Sequence, residues 1–313
     1  MLATIIISSV DRKQVMQRLF SNIAAQSVLP DEIILVEAGK TTWSEIDIPV
    51  VFHGKTTFLH ETGLALSAAR ALGQKQSHGD ILFFLDDDII IPETYISDAI
   101  NYLQNHNNIM AIGGCYSDQI LSKRNESSIL IGRLLGIYSD GNKNMILPSG
   151  WADYVRGDAT QKISCADWLF GCNFVVKSEA FSKANFEEGL AAWSFLEDVF
   201  FGIHLKNSFG DCMRILPSLK VIHDPPCSGG RITLITLKMR ILYRYILWRD
   251  HLYNHSIHAV LMFLLGMIAN LLLMLKQEKK FWVISATFSS LYKIVRHPKM
   301  NLEFANEIIF EKI

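Results

Sequence analysis

Short apolar runs alternate with amphipathic stretches along the N-terminal half of the chain. Ala3-Thr4-Ile5-Ile6-Ile7 is β-branched and reads as a strand, with Ser8-Ser9-Val10-Asp11 as the following loop. Val15, Leu19, Phe20 and Ile23 recur at helical spacing and predict a helix over 12–26, broken by Leu29-Pro30. Glu32-Ile33-Ile34-Leu35-Val36 predicts a second strand and Pro49-Val50-Val51-Phe52 a third. A helix is expected over 63–76, where Leu64, Ser67, Ala68 and Leu72 are small or apolar. The unbroken run Ile81-Leu82-Phe83-Phe84-Leu85 after Gly79 reads as a central strand buried on both faces. This β-α-β-β-α-β order predicts an α/β fold with a Rossmann-like, mostly parallel sheet flanked by helices.

Three carboxylates, Asp86, Asp87 and Asp88, end the central strand. Open α/β sheets place ligands at the carboxyl ends of their strands. In extended backbone Asp86 and Asp88 share one direction and Asp87 takes the other. Two carboxylates aimed at one point repel, and a hard divalent cation removes that cost while also holding a diphosphate. A cap on the next element would need one acid, not three. No GxGxxG or GxxxxGK[ST] follows the first strand, which disfavours a dinucleotide fold and a P-loop.

Composition changes the picture in one place. The 313 residues carry 30 basic and 31 acidic side chains, a balance that gives no sign of nucleic acid as a partner. The charge is uneven, however: 231–313 holds 12 basic and 5 acidic residues, a basic and apolar tail on an acidic body. A negatively charged membrane leaflet is the partner this suggests. The five cysteines, Cys115, Cys165, Cys172, Cys212 and Cys227, are odd in number and lack CxxC spacing, so a reducing compartment is expected. The opening residues are too short an apolar stretch for a signal peptide.

Several of these segments together resemble the inverting nucleotide-sugar glycosyltransferases of family two, which have the GT-A fold. They are the segment from Gln26 to Val36, Ala68-Ala69-Arg70-Ala71-Leu72-Gly73, Leu85-Asp86-Asp87-Asp88, Gly171-Cys172-Asn173-Phe174-Val175 with Phe181, Phe186-Glu187-Glu188, and Glu197-Asp198. The resemblance covers roughly residues 3 to 225 and points to the bacterial polysaccharide-assembly type. It implies a cation, Mn2+ or Mg2+, on Asp88 and Asp86 with His223 completing the shell. It implies that Glu37, Arg70, Asp86 and Asp87 face the nucleotide-sugar. Glu37 stands where the family usually has an Asp that recognises the base, and Arg70 would face the diphosphate.

The resemblance also assigns the second half of the chemistry. An inverting transfer needs a carboxylate to take the proton from an acceptor hydroxyl. It places that base at Asp198, with Glu197 in support; adjacent acids at a helix start point in different directions, so the two could be exchanged. Helix capping is the plainer reading of the pair, and the base would then be sought among Asp153, Asp158 and Asp167. Trp168 or Trp193 could stack on a sugar ring.

The C-terminal part is expected to form a second region, 229–313, after a catalytic domain over 1–228. The segment from Arg240 to Asp250 resembles the Arg- and Tyr-rich helix of polysaccharide-assembly members. Ile257 to Leu275 is almost wholly apolar, close to the roughly 20 residues a bilayer span needs, and Lys276, Lys279 and Lys280 follow. His258 and Asn270 would be costly at depth, so a helix lying in the interface or a soluble helical pair explains the pattern too. The combined expectation is sugar transfer from a nucleotide-diphosphate donor to a glycan or lipid-linked acceptor, in the cytoplasm, peripheral to or C-terminally anchored at the inner face of the cell membrane. Its rivals are a nucleotidyltransferase, which would want a Gly-rich loop with Arg and Lys after the first strand, and an inactive membrane-docked assembly partner.

Overall fold

The computed structural model describes residues 1–116, 126–224, 233–278 and 281–311. The expected boundary at 228/229, Cys227, Lys279 and Lys280 fall outside the described residues. Eight strands form one sheet: β1 (Ala3–Ser9), β2 (Glu32–Glu37), β3 (Thr56–His60), β4 (Ile81–Asp86), β6 (Ala111–Gly113), β9 (Ser164–Cys165), β10 (Asn173–Lys177) and β11 (Met213–Ile215). Their order is β3-β2-β1-β4-β10-β6-β11-β9. β1, β2, β3 and β4 run parallel, and β10 runs against both its neighbours, β4 and β6. Short pairs β5 (Ile89–Ile90) with β12 (Ile222–His223), and β7 (Met145–Ile146) with β8 (Ala152–Asp153), complete the β structure among the described residues.

Helices cover the sheet: α1 (Lys13–Ala24), α2 (Leu66–Gln76), α3 (Tyr95–Asn105), α4 (Glu126–Leu134) and α5 (Glu197–Phe209). The expected mixed α/β architecture is present. The apolar residues of β1, β2 and β4 are almost wholly shielded from water, as strands covered on both faces should be. α1 buries Met16, Leu19, Phe20 and Ile23.

The third strand lies later than expected. Val50–Phe52 is a single 3-10 turn with Val50 and Val51 exposed, and the chain joins the sheet at Thr56–His60, with Ile33 opposite Thr56. Pro49 offers no N–H to a ladder, and Gly54 at φ 72° turns the chain toward the β-branched Thr56-Thr57.

The C-terminal part is helical: α6 (Leu234–Leu247), α7 (Ile257–Glu278), α8 (Phe281–Arg296) and α9 (Leu302–Phe310). α6 is built into the body. Tyr243 is fully buried; its hydroxyl donates to Asn306 Oδ1 at 2.5 Å and accepts from the Ala191 backbone N–H at 3.0 Å. Trp248 Nε1 donates to the Pro148 carbonyl at 3.1 Å. α7 contains Ile257–Leu275, long and apolar enough to cross a membrane, with 39% of that window buried against the protein.

Candidate active site

The carboxyl ends of β1 and β4 lie side by side, with Ser8 opposite Asp86. Asp87 turns toward β1, where Ser9 Oγ donates to it at 2.8 Å and Arg12 approaches at 2.5 Å. Asp86 and Asp88 face the other way and converge with His223, delivered by β12. One ligand atom from each of the three lies within 4.8 Å of the other two. Asp88 Oδ1 is 3.1 Å from His223 Nε2, is buried, and makes no hydrogen bond of good geometry. Two carboxylate oxygens and an imidazole nitrogen, one oxygen with a free lone pair, make a donor set that fits Mn2+ or Mg2+.

Arg12 joins the site without a mark in the sequence. It spans Asp87 and Asp88, with Nη2 at 2.8 Å from Asp88, and its charge with that of His223 holds the Asp88 carboxyl below its usual range despite burial. Burial pushes Asp87 up to about 6. A single Arg after a strand carries no pattern that marks it.

Arg70 links this cluster to the second pair of acids. It projects from α2, is 3% exposed, and donates to Glu197 Oε1, to Asp86 Oδ1 at 2.8 Å and to the Gly171 carbonyl at 2.6 Å. Its hydrogen bonds therefore go to protein acceptors. Gly171 has no room for a side chain: a Cβ there would sit 2.7 Å from Glu197 Oε1. Glu37, likewise buried, accepts from the N–H groups of Asp11 and Gly39 and from Trp43 Nε1, so it braces the loops around the site.

Asp198 stands at the N-terminus of α5. Its carboxylate accepts from the backbone of Val199 at 2.9 Å and Gly171 at 3.3 Å. Burial and the neighbouring Glu197 charge push its pKa up to about 7, within the range useful to a base at neutral pH. α5 is fixed by aromatic packing: Phe201 stacks on Phe186 at 4.5 Å, and Phe186 meets Phe84 of β4 edge-on at 5.1 Å. The segment entering α5 is strained, with Ala192, Ser194 and Leu196 at φ 51°, 51° and 71°. Asp153 is paired with Arg156 and Asp167 with Lys206, so both are committed elsewhere.

Two clefts meet at this segment. One, of about 420 Å³, is lined by Ser9, Arg12, Ala38, Leu64, Asp86 and Trp193. The other, of about 360 Å³, is lined by Trp168, Trp193, Glu197, Asp198 and Arg244. Trp193 is common to both and half exposed.

A family model described as Glycosyl transferase family 2 matches residues 4–157, the span that holds β1 through the acid cluster. The chain carries a glycosyl transferase family 2 domain over those residues. It is a glycosyltransferase, and the sheet described above is its GT-A core. Solved structures agree in fold. TarS 1-349 of S. aureus in complex with UDP-GlcNAc superimposes with a TM-score of 0.58 at 12% identity, covering 95% of this chain and 81% of that one. A mannosyltransferase from Pyrobaculum calidifontis, solved with GDP-Man and Mn2+, gives 0.56 at 14% identity over 98% and 78%. GalNAc-T7, solved with UDP, GalNAc and Mn2+, gives 0.56 at 14% identity over 80% of this chain. The chain spans only 50% of the length of GalNAc-T7. No curated protein matches the sequence significantly.

Proposed function

We propose that this glycosyltransferase moves a sugar from a nucleotide-diphosphate donor to an acceptor hydroxyl with inversion at the anomeric carbon. The donor lies in the cleft lined by Asp86 and the acceptor in the cleft lined by Asp198. The observation that carries this reading is the meeting of the two clefts at Trp193, with Asp86 of the proposed cation site on one side and a carboxylate of raised pKa on the other. GT-A structures solved with a nucleotide or nucleotide-sugar, two of them with Mn2+, are consistent with it.

Asp86, Asp88 and His223 hold Mn2+ or Mg2+ in this reading. A bound cation there supplies positive charge to the leaving diphosphate. Asp198 accepts the acceptor's proton as its oxygen attacks, and a base so placed contributes roughly two to four orders of magnitude. Arg70 and Glu197 position Asp198 and Asp86; Glu37 shapes the base pocket through the Asp11 and Gly39 loops. The test is donor turnover with and without Mn2+, the product anomer being read by NMR. Retention of configuration would contradict the assignment of Asp198 as the base.

The acceptor is a glycan or lipid-linked sugar, and the enzyme works at a membrane surface, on the cytoplasmic side. What supports the surface is α7: Ile257, Leu261, Leu264, Ile268 and Leu272 form an exposed stripe, while Ala259, Phe263, Met267 and Met274 pack on the protein. Of the two expected polar obstacles, Asn270 lies on the buried side and His258 is exposed in the first turn of the helix. Such a helix lies in the interface with one face in lipid.

A further inference from the structure

Arg244 is 6% exposed and lines the cleft that holds Asp198. Its Nε donates to the Gly150 carbonyl and one Nη to the Arg240 carbonyl, both at 3.1 Å. Its guanidinium lies over the Trp151 ring at 4.2 Å. No carboxylate partners it among the described residues. One turn earlier, Arg240 leaves its buried Nε without a hydrogen bond, and no carboxylate partners it among the described residues either. Like charges at this helical spacing repel, and a buried cation is costly unless it is paired. The strain registers in the side chain itself: burial, with Arg240's charge beside it, pulls Arg244 down to about 9.

We propose that Arg244 binds an anionic group of the acceptor, a phosphate or a carboxylate, and so presents the neighbouring hydroxyl to Asp198. This inference rests on the reading of that cleft as the acceptor side. The cleft's other walls suit a sugar: half-exposed Trp193 lines it, with Trp168 and the small Ala152. A planar guanidinium recognises either anion through paired hydrogen bonds. The anion supplies the charge that the fold withholds from Arg244, and acceptors without one bind weakly.

The test is calorimetric titration of the full chain, with Mn2+ and saturating uridine or guanosine diphosphate filling the donor site. Methyl phosphate and methyl glucuronide are the probes, and the tighter of the two identifies the source of the anion. The wild type is expected to bind one of them at a single site. Arg244→Gln should weaken it by at least about tenfold. Ala152→Asp, which adds a carboxylate to the wall of the same cleft, should do the same while keeping Arg244. Nucleotide affinity in each variant reports that it is folded. Absence of probe binding in the wild type overturns the proposal, as does undiminished binding in either variant that keeps its nucleotide affinity. Failure of the wild type to bind nucleotide with Mn2+ would instead strike the donor-site reading.

Discussion

Arg70 of α2 and Glu197 of α5 form a buried ion pair, 3% and 5% exposed. The same guanidinium reaches Asp86, so one side chain spans the acids at the end of β4 and the acids at the start of α5. Charges this deep cost more to leave unpaired than the pair returns. Arg70→Met should therefore destabilise the fold by about 3 to 5 kcal/mol. The double variant with Glu197→Met should recover much of the loss. Urea denaturation measures both, and additive losses would show that the two do not act as a pair.

Asp198 gives a pH dependence of two signs. Its folded pKa, about 7, lies above the ordinary 3.8, so the folded chain holds the proton more tightly. Its share of stability is present at low pH and declines as pH rises from about 4 through 7. In its proposed role as base Asp198 acts deprotonated, so transfer should rise through the same upper limit. Asp198→Asn should flatten the stability profile, melt higher than wild type at pH 8, and lose roughly two to four orders of magnitude in transfer with donor affinity intact. Thermal melts and initial rates from pH 5 to 9 read both effects. Near-normal transfer in this variant would return Asp198 to the role of a helix cap.

Ala192 is exposed and sits at φ 51°, where an L side chain costs about 1 to 2 kcal/mol. Its carbonyl accepts from the N–H of Leu66 at the start of α2. Ala192→Gly should leave the fold as stable or up to about 1 kcal/mol more stable, the relief of strain outweighing the added freedom of the unfolded chain. Destabilisation, measured by chemical denaturation, would mean that this turn is not strained.

The exposed stripe on α7 makes the membrane reading separable from catalysis. Leu264→Glu with Ile268→Glu places two charges on the face proposed to meet lipid. Sedimentation with anionic vesicles should fall from bound to largely free, while nucleotide affinity stays as in wild type. Unchanged sedimentation would put the attachment elsewhere.

Much of the fold was legible because the strands are short apolar runs with both faces covered. Ile81–Leu85 could be read directly, and with it the place of Asp86–Asp88. Strand alternation also foretold that Asp87 parts from its neighbours, as its contact with Ser9 shows. Val50-Val51 misled because apolar β-branched residues signal a strand whether or not a partner edge is in reach, and Pro49 denied them one. The roles of Arg12 and Arg244 were illegible for another reason. Each acts through neighbours distant in sequence, Asp87 and Asp88 for one and the cleft beside Asp198 for the other, and only the folded chain brings these together. The C-terminal helices looked separable from their composition, whereas Tyr243 ties α6 to Ala191 at the edge of the site.

The central claim is that Asp86, Asp88 and His223 hold a cation that binds the donor's diphosphate. The most direct measurement is calorimetric titration of uridine and guanosine diphosphate, with Mn2+ and with chelator, on the wild type and on Asp88→Asn. One nucleotide should bind the wild type only with Mn2+, and Asp88→Asn should weaken it by at least about tenfold with the fold retained. Nucleotide affinity that is the same with chelator as with Mn2+, or the same in Asp88→Asn as in wild type, would contradict the account.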